Sequence, residues 1–583
     1  MTKNFKLVLA LALAAMMIAS MIPAMAATSH TITVKPIANQ NGAHTYTAYQ
    51  VFSGKYDATA QNLSNIDWGS DVEGAAILTA LKADTTHFQI DNPEYNADTN
   101  PSAAQKINAF ASASSAADVA KALGANAGNG SDFAKAFADV VGANLKNTAT
   151  GKSATQESKT SNAVITVDDD GYYFVKDTTT NVPEGDSRTD YILYVCANVE
   201  VTTKAGTVTS DKGVDDQNDS DSTDSYSAKE SADYDIGDDI PYTLTFTLPA
   251  DYANYKKYTV SFVDDMSAGL TYNNDAKIWY GEVTGEGTDI SSNFAVDNNE
   301  TSAYTTPSAG KVYKYTIDDL KTGTEAQKAM TAGQTITIKY TAKLNANAVV
   351  GSAGNPNKYQ VIYSRNPNEE GTPETGTTPW DVNIVFTYKT VFNKVDGENK
   401  PLTGADFRLD KFIVNADGAD SYNSTKGTWT DVTKLHGEGN DKVNPTKTTE
   451  NVTSGETTVS NAKFTFAGLD AGVYRLTETT TPDGYNTIDP IIFTITATHE
   501  LETDDPKLTA LTGTDGAQFN MTAVEDTNNK PTGELDADVK NEKGAQLPST
   551  GGIGTTIFYV AGSIMVLAAA ILLITKRRMG AND

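Results

Sequence analysis

Short runs that alternate between polar and apolar or aromatic residues recur along the chain. Examples are "TITV" (31–34), "YTLTFTL" (242–248), "YTVSFV" (258–263), "TITIKYTAKL" (335–344) and "FTITAT" (493–498). A period of two in β-branched and aromatic residues predicts half-buried strands. Acidic, Gly-rich and Asn-rich turns separate the runs, which predicts a mainly β chain of tandem antiparallel sandwiches. Residues 71–145 break the pattern. There "AAILTALKA", "AAQKINAFA" and "FAKAFADVVGANL" carry helical spacing and predict helices inserted into the first sandwich. Two apolar-poor stretches, 212–239 and 364–381, read as boundaries. They give domains of 27–205, 206–383 and 384–545.

The two ends follow other rules. Lys3 and Lys6 precede an apolar run from Leu7 to Ile22, then Ala24-Met25-Ala26, so residues 1–26 read as a secretory signal peptide. Near the other end an apolar stretch from Ile553 to Thr575 is followed by Lys576, Arg577 and Arg578. Its length suits a transmembrane segment, and the basic cluster would hold the tail inside.

Composition narrows the function. The 583-residue chain has a net charge of -29, which argues against nucleic acid as a partner. Removal of both ends would take away more positive than negative charge. A single cysteine, Cys196, excludes a disulfide framework and a cysteine zinc site. The acidic cluster Asp215, Asp216, Asp219, Asp221 and Asp224 lacks the spacing of a calcium loop and reads as a solvated linker, so no metal and no cofactor are expected. The five histidines form no His-Glu-x-x-His motif, and no enzyme is expected.

Leu547-Pro548-Ser549-Thr550-Gly551 sits just before the apolar tail and resembles the LPxTG sorting signal of Gram-positive surface proteins. The resemblance implies that a sortase cysteine attacks the Thr550 carbonyl and releases Gly551 with the tail, leaving the chain on peptidoglycan at the cell surface. Other segments extend the likeness. "VFNKVDGENKPLTGADFRL", "YRLTETTTPDGY" and "DADVKNEKGAQLPSTGG" resemble the Cna B-type domain of pilins, with its E-box at 474–485. "DYDIGDDIPYTLTFTLP" and "YTAKLNANAVVGSAGNPNKYQVIYS" are similar to the isopeptide-forming second domain of fimbrial shaft subunits. The chain thus resembles an LPxTG-anchored major pilin, with Ig-like β-sandwich domains.

That family joins a Lys amine to an Asn side chain with help from a neighbouring Asp or Glu. The resemblance implies two trios: Lys394, Glu478 and Asn541, and Lys212, Asp264 and Asn357. Strand alternation is consistent with both, since each residue shares parity with apolar neighbours: Lys394 with Tyr388 and Phe392, Glu478 with Tyr474 and Leu476, Asn541 with Ala537 and Val539, Lys212 with Val208 and Val214, Asp264 with Val260 and Phe262, Asn357 with Tyr359 and Val361. Lys389 is the rival to Lys394, and Asn366 the fallback for Asn357. In the first domain Lys35, Asp177 and Asn198 occupy similar places, but Lys35 shares parity with Thr31 and Thr33, so no bond is expected there.

Shaft pilins also carry a lysine that receives the Thr carbonyl of the next subunit. "VEVTTK" puts Lys204 in that place, with Thr202 and Thr203 where the family has Tyr and Pro. Parity sets Val199 and Val201 on one face and Lys204 on the other, as an exposed amine. The implied function is a covalent pilus shaft that supports adhesion. Its partners would be pilin-specific and housekeeping sortases, identical subunits head to tail, peptidoglycan, tip or basal pilins and a host receptor. The alternative is a wall-anchored minor pilin or adhesin displayed as a monomer.

Overall fold

A computed structural model describes residues 29–579 except positions 38, 61, 101, 129, 196–197, 282–286, 307, 325–328, 370, 415–426, 433–451, 455–456, 460–461, 515–520 and 545–552. The expected signal peptide, Cys196 and the whole Leu547–Gly551 motif lie outside the described residues. The architecture is mainly β, as three successive pairs of sheets.

The first unit has β1 (His30–Val34), β2 (His44–Asp57), β3 (Asn62–Trp68), β4 (Lys152–Gln156), β5 (Ala163–Val167), β6 (Gly171–Asp177), β7 (Ile192–Val195) and β8 (Val199–Val201). One sheet has the order β8-β1-β5; the other runs β3-β2-β6-β7, with β4 on β2. Between β3 and β4 lie α1 (Gly74–Ala83), α2 (Ala116–Asn126) and α3 (Asp132–Ala143). Their apolar faces, including Ile77, Leu81, Val119, Phe137 and Val141, pack on Phe52 and Phe174 of the sheet. Two of the three expected helical segments therefore form. The third, 103–111, does not: Lys106–Asn108 pairs with Gln89–Asp91 as a short ribbon. Asn108 donates to the carbonyls of Leu81 and Asp84, so it caps the end of α1. The second helix starts instead at Ser115, whose side chain and Asp118 form a reciprocal capping box.

In the second unit β9 (Thr209–Gln217), β10 (Asp239–Thr247) and β13 (Thr335–Leu344) are neighbours in one sheet. β11 (Val260–Met266), β12 (Lys311–Ile317), β14 (Asn355–Ser364) and β15 (Asp381–Phe386) form the other, in the order β15-β14-β11-β12. Leu244, Phe246, Ile336 and Ile338 of the first sheet and Val260, Phe262, Tyr359 and Val361 of the second are buried in one core. The stretch 212–239 is thus not a solvated linker. It holds β9, and its Val214 is fully buried in that core.

The third unit follows after the single residue Thr387. It has β16 (Tyr388–Asp396), β17 (Asp406–Val414), β18 (Lys463–Leu469), β19 (Gly472–Thr480), β20 (Ile491–His499), β21 (Leu508–Thr514), β22 (Met521–Glu525) and β23 (Pro531–Asn541). The sheets run β18-β16-β23-β22 and β17-β19-β20-β21, and β16 pairs with β23 in parallel. Because β15 pairs with β14, the change of unit falls at Thr387 and not at 383/384.

Residues Ile553–Met579 form α4, with Phe558, Tyr559, Ile564 and Leu572 exposed. Among the described residues no helix is long and apolar enough to cross a membrane; the side chains described in α4 run only from Phe558 to Leu573.

Candidate cross-linking sites

The third unit assembles its trio from both sheets. Lys394 on β16 and Asn541 on β23 point into the core from adjacent strands, and Glu478 faces them from β19. Lys394 and Asn541 are fully buried and Glu478 is 6% exposed. Asn541 Nδ2 donates to both oxygens of Glu478 at 3.0 Å and to the Asn486 carbonyl at 2.8 Å. Lys394 Nζ donates to the carbonyls of Val539 (3.0 Å) and Val395 (3.3 Å). Burial pushes the Lys394 amine down to about 8, against the pull of Glu478 and Asp396. The rival Lys389 lies at the surface, paired with Glu534 at 2.6 Å.

The second unit is built differently. Lys212 comes from β9 in one sheet, and Asp264 and Asn357 from the paired strands β11 and β14 of the facing sheet. In that pairing Asp264 stands opposite Tyr359 and Asn357 opposite Met266. All three residues are fully buried. Lys212 Nζ donates to Asp264 Oδ1. Burial lowers the Lys212 pKa and raises that of Asp264, so both are pushed toward the neutral form despite their mutual attraction. Asn366 lies away from this cluster, hydrogen-bonded to Glu369 at 3.0 Å, so Asn357 is the amide that the structure brings to Lys212.

One participant was missed in the sequence. The Tyr340 hydroxyl accepts from Asn357 Nδ2 at 2.8 Å and lies 3.3 Å from Lys212 Nζ, so it bridges amide and amine. Its signal was available: Tyr340 shares parity with Ile336, Ile338 and Ala342 in an apolar face, where a phenol needs a polar partner. Among the described residues, Asn357 Oδ1, Asn541 Oδ1 and Asp264 Oδ2 are buried with no hydrogen-bond partner. An orphaned buried amide oxygen is costly and calls for an explanation. Asn357 Oδ1 and Asn541 Oδ1 are the atoms that would gather charge if an amine added to their amide carbons.

Among the described residues, the first unit gathers no such trio. Lys35 is half-exposed and paired with Glu200 at 2.8 Å. Asn198 accepts from the Thr31 amide, and Asp177 is buried against His44. Lys204 lies beyond β8, in a segment 202–208 without regular structure, and is half-buried. The strand ends at Val201, so parity does not carry through to Lys204, and the residue is less exposed than expected.

Sequence reading also missed a buried cation at the junction of the second and third units. Lys411, fully buried, sits 2.9 Å from Asp219, 2.8 Å from Asp235 and 2.6 Å from Asp470. Asp238 completes this acidic group, whose centre the Lys411 ammonium holds. A second donor set, Asp216, Asp233 and His499, lies at the same junction. There Ser231 Oγ is 2.7 Å from His499 Nδ1, and the Tyr388 hydroxyl donates to Asp233 at 3.0 Å.

Comparison with known proteins agrees with the reading of both the third unit and the tail. Residues 389–507 match the SpaA prealbumin-like fold domain, and residues 539–579 match the LPXTG cell wall anchor motif. The trypsin-resistant surface T6 protein of Streptococcus pyogenes serotype M6 is 28% identical over 367 residues, which cover 59% of this chain and 65% of that protein. The chain therefore spans just under two thirds of that relative's length. Among solved structures, the T6 backbone pilin of serotype M6 S. pyogenes aligns at 16% identity over 89% of this chain and 99% of its own, with a TM-score of 0.48. The major pilin SpaD of Corynebacterium diphtheriae aligns at 16% identity over 89% and 98%, with a TM-score of 0.43. The chain thus carries a SpaA prealbumin-like domain and, behind it, an LPXTG cell wall anchor motif that marks it as a cell-wall-anchored surface protein.

Proposed function

We propose that the chain is the structural shaft subunit of a sortase-assembled covalent pilus, in which the Thr550 carbonyl of one subunit is joined to Lys204 of the next. The tail from Ile553 would hold the precursor in the membrane until the sortase cleaves after Thr550. Within each subunit, Lys212 joins Asn357 and Lys394 joins Asn541. The observation that carries this reading is the pair of buried Lys–acid–Asn trios in successive sandwiches of a wall-anchored chain.

The chemistry follows from burial. A lysine must lose its proton to become a nucleophile, and a dry site favours the neutral amine. The amine nitrogen attacks the Asn side-chain carbon, the C–N bond to the amide nitrogen breaks, and ammonia leaves. Glu478, 3.0 Å from Asn541 Nδ2, would take the proton shed by the attacking Lys394 nitrogen and pass it to the departing nitrogen. In the second unit Asp264 takes the proton from Lys212, and Tyr340 stands between amine and leaving nitrogen. The event happens once per site, so the protein is not an enzyme. Each finished bond replaces a buried amine by an amide that no reductant cleaves, which suits an exported chain with one cysteine.

The test of the shaft reading is a blot of wall extracts from cells carrying the protein and its sortase. High-mass ladders are expected for wild type and a single band for Lys204→Ala. A single band for wild type would leave only the monomeric adhesin.

A further inference from the structure

We propose that Thr189 and, through it, Asn368 of the second unit are positioning residues for the linking Lys204; this rests on the shaft reading above. The family presents its lysine after Tyr-Pro, where proline fixes the backbone. This chain has Thr202-Thr203 instead, yet the Lys204 backbone is held at both of its polar groups. Its N–H donates to Thr189 Oγ1 at 2.8 Å, and its carbonyl accepts from the Asp190 N–H at 3.3 Å. Thr189 is fully buried and its hydroxyl donates to the Asp190 carbonyl at 3.2 Å.

The segment that does the holding is itself pinned by the second unit. Asn368 Nδ2 donates to the Thr189 carbonyl at 3.1 Å, and Asn368 Oδ1 accepts from the Tyr191 N–H at 3.0 Å. One residue earlier, the Arg188 N–H donates to the Arg365 carbonyl at 2.7 Å, and its guanidinium grips Glu374 at 2.7 and 3.0 Å. Asn368 lies just past the end of β14, the strand that carries Asn357. The loop after β14 thus fixes 188–191, and 189–190 fix Lys204. Only a chain whose second unit has folded offers the amine in its attacking position.

The transfer is an aminolysis. The neutral Lys204 amine attacks the thioester between the sortase cysteine and Thr550, the C–N bond forms, the C–S bond breaks, and the proton shed by the amine leaves on the thiol. A small displacement of the nucleophile is enough to slow such a step severely.

The experiment uses the full chain in detergent, its sortase and a peptide donor bearing Leu-Pro-Ser-Thr-Gly, with hydroxylamine added as a competing nucleophile. The readout is the partition of one acyl-enzyme between the protein and hydroxylamine, which cancels any effect on sortase acylation. Thr189→Val and Asn368→Ala should each lower the partition toward the protein about tenfold or more. Thr189→Ser should restore it, and the internal mass losses should stay as in wild type. Should Thr189→Val disturb the fold, Asn368→Ala decides the question alone. Wild-type partition in Thr189→Val and Asn368→Ala, with Lys204→Ala inert, overturns the positioning role and leaves Lys204 as the acceptor. Undiminished coupling in Lys204→Ala overturns the acceptor reading itself.

Discussion

Lys394 and Asn541 stand on neighbouring parallel strands two residues out of register: Lys394 is opposite Val539, and Asn541 opposite Asp396. Both side chains point inward, so the long lysine arm spans the offset along the sheet and Glu478 closes the triangle from the other side. Intact-mass measurement of the secreted chain should find it lighter than its sequence by about 17 Da per bond, the ammonia expelled at each of two sites. Lys394→Ala and Asn541→Ala should each restore one such unit. Glu478→Ala should restore the same unit although amine and amide are both present. No deficit in the wild-type chain would exclude the internal chemistry.

Lys212 and Asn357 bridge the two sheets of the second unit, so their bond would close a loop of the order of 150 residues. By chain-entropy scaling such a closure stabilises by about 5 kcal/mol. Asp264→Ala should keep the ammonia, show a deficit smaller by about 17 Da when weighed against its own sequence, and lower the unfolding midpoint of this unit accordingly. Tyr340→Phe keeps the packing and removes the hydroxyl between amine and amide. Newly made Tyr340→Phe protein should therefore form the bond more slowly, by about tenfold or more, followed as the ingrowth of the lighter species.

Most of the two trios was legible because burial and strand period coincide. On β16, β19, β23 and β14 the reactive residue repeats the parity of its apolar neighbours, and the structure buries it with them. On β11 parity decided nothing, since every residue from Val260 to Met266 is buried and Asp265 lies inside as well as Asp264. The resemblance made that choice. What could not be read were relations between units. Lys411 meets Asp219 and Asp235 across well over a hundred residues of sequence, and no local period encodes such a pairing. The exposure expected of Lys204 failed for a local reason: its strand ends at Val201, and its setting comes from Thr189 and Asp190 of the same unit.

His44 should make the first unit sensitive to alkali. It is fully buried, with Nδ1 2.8 Å from Asp177 and Nε2 3.3 Å from Asp186. Burial works against its charge, but the two carboxylates prevail and raise its pKa to about 9. A folded pKa above the unfolded 6.5 means that the stabilisation is complete below about 6.5 and is lost as pH rises through about 9. The shift corresponds to the order of 3 kcal/mol. Thermal unfolding of this unit, followed at pH 7 and at pH 10, should fall by several degrees in wild type. His44→Gln should start lower at pH 7 and lose much less between the two. Equal losses in both proteins would place the alkaline sensitivity elsewhere.

Another buried lysine, Lys411, provides the contrast that tests the electrostatic argument. Lys411 is as buried as Lys212, but it touches three carboxylates instead of one. Burial alone would neutralise it; Asp235, Asp470, Tyr474 and Asp219 outweigh burial and hold its pKa well above the ordinary value. A permanently charged ammonium is no nucleophile, so Lys411 should stay an ion pair and contribute nothing to the mass deficit. Its work is mechanical: Asp219 and Asp235 belong to the second unit, Asp470 and Lys411 to the third. Lys411→Met should leave those carboxylates facing one another without a cation and cost about 3–5 kcal/mol at the junction, seen as a lower denaturant midpoint with the mass deficit unchanged. Adding Asp235→Asn and Asp470→Asn should recover part of that loss, because the uncompensated charge goes with them. A Lys411→Met chain that gains about 17 or 18 Da beyond the substitution itself would instead reveal a covalent bond at this lysine, and the charge argument would fail.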